Sequence, residues 1–253
     1  SDSLFLGLKE IYPNDVIDYP GAWYMDKNEV KKRNYEYKKN FWGNGFTYYD
    51  LISDYNQIDR NNISNKINNN YFDFIVYGSI KRSKKFLNEA ISSKSKLIFI
   101  DGDDDTIIDI GVLKHGIYFK RELIHNNFKN VFPINFSVPK IKTIHKINDN
   151  PLNLLAPLIP YRNKTYIYDN EKDYYKMWQN SIFGITYVRD GWWDALRYYE
   201  MLMNGCIPFI INLENCPNKT LTKIPKAVSY THIRAHETDS YLVCRLLLEK
   251  KYQ

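Results

Sequence analysis

The strongest constraint on the fold is a pair of short apolar segments separated by a helical pattern. The first segment, Tyr71–Tyr77, is rich in β-forming residues and is followed by Gly78, and the second is Lys96–Ile100. Between them lies a basic stretch and then a helical pattern that ends at Ile91. Strands that are almost wholly apolar and alternate with helices are typical of a parallel sheet covered on both faces. The region therefore predicts an α/β protein.

A second helix–strand unit begins at Asp190. Asp190 has the side chain of an N-cap, and Asp194 would add a carboxylate to the first helical turn. Gly205 suits the left-handed position after a helix, and Pro208 suits the start of a strand over Phe209–Ile211. The apolar residues of the predicted helix recur at helical spacing and form one stripe: Ala195, Leu196, Tyr199, Leu202 and Met203.

Three polar residues of this helix share a face that the apolar stripe does not use. Arg197, Glu200 and Asn204 follow one another at i, i+3 and i+7. In an α/β sheet such residues can face the crevice at the carboxyl ends of the strands, where ligands usually bind. Spacing alone leaves two interpretations open. One is a surface ion pair between Arg197 and Glu200, which contributes only about 0.2–0.5 kcal/mol, and the other is a ligand site.

Two short motifs follow one another in this unit: Arg197-Tyr-Tyr-Glu200 and Gly205-Cys-Ile-Pro208. In this order they resemble the donor-site segment of GT-B glycosyltransferases, especially the exostosin-like and related families. The segment Ser181–Thr186 is similar to the short strand that precedes the helix in those families. The resemblance covers approximately residues 174–225.

The resemblance implies a nucleotide-sugar site on this helix and on the loop before it. In those families the glutamate, here Glu200, binds the ribose hydroxyls. Arg197 or Arg189 would neutralise the diphosphate, helped by backbone N–H groups near Gly191. The positions expected to contact the donor are Thr186, Arg189, Gly191, Arg197, Glu200 and Gly205.

The implied architecture has two Rossmann-like lobes, of which the second is incomplete. Residues 1–140 would form the acceptor lobe, residues 141–160 a proline-rich linker, and residues 161–227 part of the nucleotide-sugar lobe. A second lobe of this length is expected of a truncated gene or a compact variant. The implied activity is metal-independent transfer of a sugar from a nucleotide-sugar to a glycan or lipid-linked acceptor, with no further cofactor.

An acidic run, Asp101-Gly-Asp-Asp-Asp105, follows the second apolar segment and has three interpretations. Its side chains can end the strand and cap a helix near Thr106. In a GT-B enzyme, Asp101 or Asp103 can act as a catalytic base that faces the acceptor. Carboxylates at a strand end can also hold Mg²⁺ or Mn²⁺, as the Asp-x-Asp motif of GT-A glycosyltransferases does. A metal-dependent GT-A-like transferase and a non-catalytic carbohydrate- or partner-binding domain are therefore the alternatives.

The composition indicates which classes of partner and which cellular compartment suit the chain. With 44% hydrophobic and 16% aromatic residues among 253, the chain can bury a sizeable core. The net charge of +6 suits an anionic small ligand or an anionic membrane surface, whereas nucleic-acid binding needs a clustered basic face. Three cysteines without metal spacing indicate a reducing compartment, and no apolar run reaches about 18 residues. We expect a cytoplasmic protein with peripheral membrane contact as an option and no nucleic-acid partner.

The C-terminal residues 228–253 resemble a translated sequencing adapter rather than a protein family. Val228–Thr238 and Leu242–Lys251 match the translation of a transposase-type adapter and its flow-cell primer. We therefore expect the natural sequence to end near Lys226 and exclude the tail from fold reasoning. The alternative is a real C-terminal helix, because three leucines have helical spacing: Leu242, Leu246 and Leu247.

Overall fold

The computed structural model describes residues 2–32, 41–53, 57–124, 127–188, 192–224 and 226. Within them the chain forms two parallel sheets, one of four strands and one of three, so it is an α/β protein as predicted. We call the part around the four-stranded sheet the first lobe and the part around the three-stranded sheet the second lobe. Arg189, Gly191 and the tail 228–253 lie outside the described residues. None of the helices described is long and apolar enough to cross a membrane.

The first sheet takes its strands in sequence order, and every neighbouring pair is parallel. Its strands are β1 Phe74–Tyr77, β2 Lys96–Asp101, β3 Gly116–Lys120 and β4 Val131–Pro133. The helices of this lobe are α1 Asp2–Ile11, α2 Lys27–Lys32, α3 Ile63–Asn68 and α4 Leu87–Ser92. The strand–helix–strand unit predicted from the two apolar segments is confirmed as β1, α4 and β2.

The core of the first lobe lies where β2 and β3 meet α3 and α4. Phe99 and Tyr118 are paired on neighbouring strands and are both fully buried. Ile67 of α3 and Ala90 of α4 belong to the same apolar cluster. β1 forms the edge of the sheet, and its Phe74 is exposed. The expectation that both faces of the sheet are covered does not hold at this edge.

The second sheet also runs in sequence order with parallel pairing. Its strands are β5 Asn153–Leu155, β6 Ser181–Thr186 and β7 Ile207–Ile210, connected by α5 Glu171–Gln179 and α6 Leu196–Met203. Because β5 falls within 141–160, this proline-rich segment is more than the predicted linker and supplies the first strand of the second sheet. Right-handed crossovers between strands in this order place α5 and α6 side by side on one face.

Gly184, in the middle of β6, lets both helices pack closely on the sheet. A Cβ atom at this position would lie 2.8 Å from Met201 of α6 and 2.8 Å from the ring of Trp178 of α5. Trp178 is fully buried and has little room to move. A glycine in a strand interior often marks such a close approach. Here the missing side chain lets α5 and α6 lie closer to β6 than a larger residue would allow.

α6 begins later than its sequence predicts. Its N-cap is Ala195, which makes no side-chain capping bond, so Asp194 precedes the helix and is not in its first turn, and the predicted cap Asp190 lies outside the described residues. Asp194 instead accepts hydrogen bonds from the Asn135 side chain at 3.0 Å and from the Phe136 N–H at 3.2 Å. These contacts tie Asp194 to the first lobe, and Ala195 after it is extended, so the helix begins only at Leu196.

The end of α6 agrees with the prediction. Gly205 has a φ of +76°, and its N–H donates to the Leu202 carbonyl at 3.1 Å. This is the left-handed helix stop that the sequence predicts at Gly205. Pro208 follows within β7, opposite Gly184. β7 is the outer strand of the described sheet, where a proline without an N–H donor is tolerated.

The two lobes contact each other directly after β3. Glu122 accepts hydrogen bonds from the Trp193 N–H at 3.1 Å and from the Asp194 N–H at 2.9 Å. The Thr220 hydroxyl donates to the Leu123 carbonyl at 2.9 Å. The residues that follow the carboxyl end of β3 therefore hold the segment that leads into α6, and they position this helix relative to the first lobe.

Candidate functional site

Glu200 lies on the side of α6 that faces α5, one turn after Arg197. It is buried, with only 6% of its surface exposed. Its Oε1 atom lies 2.5 Å from the Thr47 hydroxyl, and its Oε2 atom accepts a hydrogen bond from the Tyr174 hydroxyl at 2.8 Å. Burying a carboxyl group is costly unless its oxygens are hydrogen-bonded, and here each oxygen has a hydroxyl partner. The surface ion pair considered for Glu200 and Arg197 is therefore not what the structure contains.

Thr47 reaches Glu200 from a loop of the first lobe, residues 41–50, which we call the strap. Three successive residues in the left-handed region, Gly43, Asn44 and Gly45, turn the strap sharply. Thr47 itself has a φ of +77°, a rare conformation for a β-branched residue. Backbone strain of this kind costs about 1–3 kcal/mol and persists only where the surrounding contacts hold it.

The contacts that hold Thr47 come from both helices of the second lobe. Its N–H donates to Glu171 Oε1 at 2.6 Å, and its hydroxyl lies 2.7 Å from the Tyr175 hydroxyl. Tyr175 in turn donates to Glu171 Oε1 at 3.0 Å, and Lys142 forms an ion pair with Glu171 Oε2. A continuous chain of contacts therefore runs from Glu200 through Thr47 and Tyr175 to Glu171.

The strap is anchored in the first lobe at both ends. Phe41 packs against Tyr24 with ring centroids 5.1 Å apart, and the Asp50 N–H donates to the Tyr24 carbonyl at 3.0 Å. Between these anchors, Phe46 lies against Tyr174 of α5 with centroids 5.3 Å apart. The middle of the strap thus crosses to the second lobe, while its ends stay attached to the first.

Burial dominates the electrostatics of Glu200. It raises the pKa of Glu200 above the ordinary glutamate value, and hydrogen bonds from Thr47 and Tyr174 together with the charge of Arg197 oppose the rise only in part. Burial also raises the pKa of Tyr174 well above the usual tyrosine value, so its hydroxyl stays protonated and remains a donor. Such an environment favours the uncharged acid form of Glu200.

The direct contacts of the Arg197 guanidinium are with an aromatic side chain, Tyr166, although Glu200 lies close enough to feel its charge. Its guanidinium carbon lies 5.4 Å from the centre of the Tyr166 ring, and its Nη1 donates to the Tyr166 hydroxyl at 3.3 Å. Its Nε atom is buried and has no hydrogen-bond partner among the described residues. Because an arginine cannot be deprotonated in a protein, this position holds a cation whose hydrogen-bonding capacity is only partly used.

The other predicted donor residues do not all gather near Arg197. Thr186 ends β6 and is buried. Gly205 lies at the opposite end of α6, about 12 Å from Arg197 at a rise of about 1.5 Å per residue. It acts as the helix stop, and the structure does not bring it together with Arg197. Arg189 and Gly191 lie outside the described residues.

Every aspartate of the run Asp101–Asp105 is paired with a basic side chain. Burial would raise the pKa of Asp105, but hydrogen bonds from Lys81 and Lys120 outweigh it and lower that pKa to about 2. The pairs are Asp101 with Lys81 and Lys120, Asp103 with Arg82, Asp104 with Arg121, and Asp105 with Lys81 and Lys120.

These pairs favour the structural interpretation of the acidic run. Asp101 is buried and also accepts a hydrogen bond from the Tyr118 hydroxyl at 2.5 Å. Asp105 accepts the Ile107 N–H at 2.8 Å, which forms a turn, and no helix begins near Thr106 as the capping interpretation expects. Among the described residues, no group of three or more His, Cys, Asp or Glu side chains is placed to hold a metal ion.

Sequence reasoning missed most of the residues around Glu200. Thr47 is 153 positions away from Glu200 in the sequence, and the two tyrosines of α5 belong to no motif. The available signal was the pair Gly43 and Gly45 in an aromatic stretch, since glycine pairs mark sharp turns and close backbone approach. The glycine pair predicts a sharply turned loop, but it does not predict that this loop contacts Glu200 in the other lobe.

A separate cleft of about 570 Å³ runs along β5 and another face of α5. Neither Arg197 nor Glu200 lines it. The cleft is open on one side and mixes apolar and polar side chains, including Leu152, Asn153, Ile167, Asn170, Asp173 and Lys176. The cleft is therefore distinct from the buried cluster of side chains around Glu200.

Comparison with known proteins assigns neither a family nor a function to the chain. No protein-family model, curated protein or solved structure matches the chain significantly. The function is therefore inferred from the residues themselves, above all from the surroundings of Glu200 and Arg197.

Proposed function

We propose that this chain forms the donor-binding part of a GT-B-type glycosyltransferase, with the nucleotide-sugar bound at Arg197 and Glu200. The observation that carries the proposal is the double hydroxyl contact of Glu200. Each of its carboxyl oxygens meets one hydroxyl group, from Thr47 and from Tyr174. The two neighbouring hydroxyls of a ribose would make the same pair of hydrogen bonds to one carboxylate.

Arg197 supplies the cation that a diphosphate requires. It lies in the first turn of α6, where the helix dipole adds positive potential and favours anion binding. Hydrogen bonds from an arginine to a phosphate are charge-assisted and often bidentate. A bound diphosphate would therefore satisfy the Nε atom that is buried without a described partner.

The proposed reaction needs no metal ion. A cationic side chain and a helix terminus stabilise the diphosphate as it leaves the anomeric carbon. The acceptor, a glycan or lipid-linked hydroxyl, would approach from the first lobe, which contacts the second lobe at Asp194. Because Asp101 and Asp103 are paired with Lys120 and Arg82, we assign neither of them as the catalytic base.

Calorimetry with nucleoside diphosphates tests the proposal. A panel of UDP, GDP, CDP and ADP is titrated into the full chain in the presence of EDTA, and one of them is expected to bind. Arg197→Met removes the charge but keeps the volume, and we expect about tenfold to hundredfold weaker binding because charge-assisted hydrogen bonds contribute about 1.5–3 kcal/mol. Glu200→Gln, which can accept at only one oxygen, should weaken binding about tenfold.

The matched control is Lys176→Met, which removes a cation from the separate cleft on α5 and should leave the affinity unchanged. Binding that requires Mn²⁺ and is lost in Asp103→Asn would instead support the metal-dependent alternative. Failure of every diphosphate to bind, or equal affinity in the wild type and both site variants, would contradict the proposal. Hydrolysis of a bound nucleotide-sugar would distinguish an enzyme from a carbohydrate-binding domain.

A further inference from the structure

The contacts around Glu200 need one more proton than the hydroxyl groups provide. Three oxygen–oxygen contacts link Glu200 to Thr47, Thr47 to Tyr175 and Tyr175 to Glu171, at 2.5, 2.7 and 3.0 Å. Each contact requires one hydrogen between its two oxygens. The hydroxyls of Thr47 and Tyr175 supply one hydrogen each, so the third must belong to one of the two carboxyl groups.

The partners of each carboxyl group show where the third proton lies. Glu171 accepts the Thr47 N–H on one oxygen and the Lys142 ammonium on the other, and both are donors to an anion. Glu200 is more deeply buried, and the described hydrogen-bond partners of its carboxyl group are both hydroxyls. The chain is complete when the Glu200 acid donates to Thr47, Thr47 donates to Tyr175, and Tyr175 donates to the ionised Glu171.

We infer that a protonated Glu200 locks the strap onto the second lobe and that loss of this proton releases it. An ionised Glu200 would leave the 2.7 Å contact between Thr47 and Tyr175 without a hydrogen if both hydroxyls donate to carboxylates. It would also place a second negative charge close to Glu171. Thr47, whose backbone is strained at a φ of +77°, would then lose its hydrogen bond with Tyr175, and repulsion between the two carboxylates that it contacts would oppose the closed strap.

The groups that face Glu200 come from three elements and act in different directions. From α6, the positive charge of Arg197 favours the ionised form, and from α5, the charge of Glu171 disfavours it. Burial of the site raises the pKa of Glu200 and outweighs the opposing hydrogen bonds, so the closed state extends above the ordinary range of a glutamate. Within the part of the chain that the structure describes, the other titratable or hydroxyl groups near it are Tyr174 and Tyr175 of α5 and Thr47 and Tyr48 of the strap.

This inference goes beyond the proposed function, because it concerns the chain without any nucleotide. It makes the strap a pH-sensitive cover over the Glu200 side chain. The strap is measured without ligand, so the inference about the strap would survive if no nucleotide bound. Its own failure would in turn leave the nucleotide-binding proposal untouched.

Hydrogen exchange across a pH series tests the lock. Exchange of peptides that cover residues 41–50 is measured in the full chain and corrected for the intrinsic pH dependence of amide exchange. We expect the wild-type strap to be protected at low pH and to lose protection as the pH rises. Glu200→Gln should keep it protected throughout, because an amide donates to Thr47 and accepts from Tyr174 as the acid does. Thr47→Val should leave it unprotected at every pH, and Thr47→Ser should behave as the wild type.

Peptides from β2, which lies in the core of the first lobe, serve as the internal control and should not change. Infrared spectroscopy provides a second readout that needs no strap variant. The carbonyl band of a protonated carboxyl group should persist in the wild type at pH values above the ordinary glutamate range and should be absent in Glu200→Gln. Absence of this band in the wild type, or the same pH response of the strap in the wild type and in Glu200→Gln, would overturn the inference.

Discussion

At the scale of single residues, the structure separates two sets of acidic side chains by their partners. The aspartates of the run Asp101–Asp105 face lysines and arginines and form ion pairs with them. Glu200 instead faces hydroxyl groups in a buried space and favours its acid form. Both sets are acidic in sequence, but only the second has the acceptor geometry that a sugar hydroxyl requires. Partners, rather than residue type, decide which acid is a candidate for binding.

The raised pKa of Glu200 predicts how stability changes with pH. In the unfolded chain this residue ionises near its ordinary value of about 4.3, whereas the folded protein keeps its proton to a higher pH. Between these two values the folded state binds more protons, so the free energy of unfolding falls as the pH rises, by at most about 1.4 kcal/mol per pH unit. Above the folded pKa this loss is complete.

Urea unfolding at a series of pH values, from about pH 5 to about pH 8, measures this dependence. Glu200→Gln does not titrate and should flatten the decline relative to the wild type. Glu10→Gln, which changes an exposed glutamate of α1, should leave the decline as it is. Equal slopes for the wild type and Glu200→Gln would show that Glu200 does not hold its proton in the folded state.

At the scale of secondary structure, the position of the site depends on the packing of α5 and α6 against β6. Tyr174 of α5 and Glu200 of α6 meet only because both helices lie on the same face of the sheet. Gln179 and Asn204 form a second contact between the helices at 2.8 Å, near their carboxyl ends. Gly184 permits the close approach of both helices to the strand.

Gly184→Ala should therefore destabilise the protein by about 1–3 kcal/mol, because an added methyl group overpacks a tight core. The Met201 side chain can move, but the buried Trp178 ring cannot do so without displacing its neighbours. Gly102→Ala is the matched control, since a Cβ atom there has no neighbour within 4 Å. It should change the stability by no more than about 0.5 kcal/mol. Thermal unfolding compares the two variants, and equal midpoints would contradict this account of Gly184.

The sequence predicts these elements well where the signal is local. The unit of β1, α4 and β2 and the unit of α6 and β7 follow from apolar segments and spacing, and the helix stop at Gly205 follows from its freedom to adopt a positive φ. The start of α6 is missed because Asp194 is held by Asn135 of the other lobe, a contact that no local pattern contains. β5 is missed because three residues in a proline-rich segment carry too little pattern.

The candidate site is predictable only in part for the same reason. Arg197 and Glu200 share a helix face, and their spacing is visible in the sequence. Their surroundings depend on contacts across long sequence separations, such as the one between Thr47 and Glu200. The pairing of Asp101 with Lys120 also arises from neighbouring strands and not from any local motif.

At the scale of the whole molecule, the strap makes the first lobe part of the candidate site in the second. Both of its ends are anchored near Tyr24, and its middle crosses between the lobes and contacts Glu200 and Glu171. The direct contact of Glu122 with Trp193 and Asp194 lies elsewhere between the lobes and does not involve the strap. The strap can therefore be changed without removing this second connection.

If a nucleotide binds at Glu200, it must displace the Thr47 hydroxyl. The apparent affinity is then the intrinsic affinity multiplied by the fraction of molecules in which the strap is open, so a closed strap lowers it. The most direct test of the account is calorimetric titration of the nucleoside diphosphate into the wild type, Thr47→Val and Thr47→Ser in EDTA. We predict about threefold to tenfold tighter binding to Thr47→Val and wild-type affinity for Thr47→Ser. Weaker binding to Thr47→Val than to the wild type, or no binding to any of the three, would contradict the account.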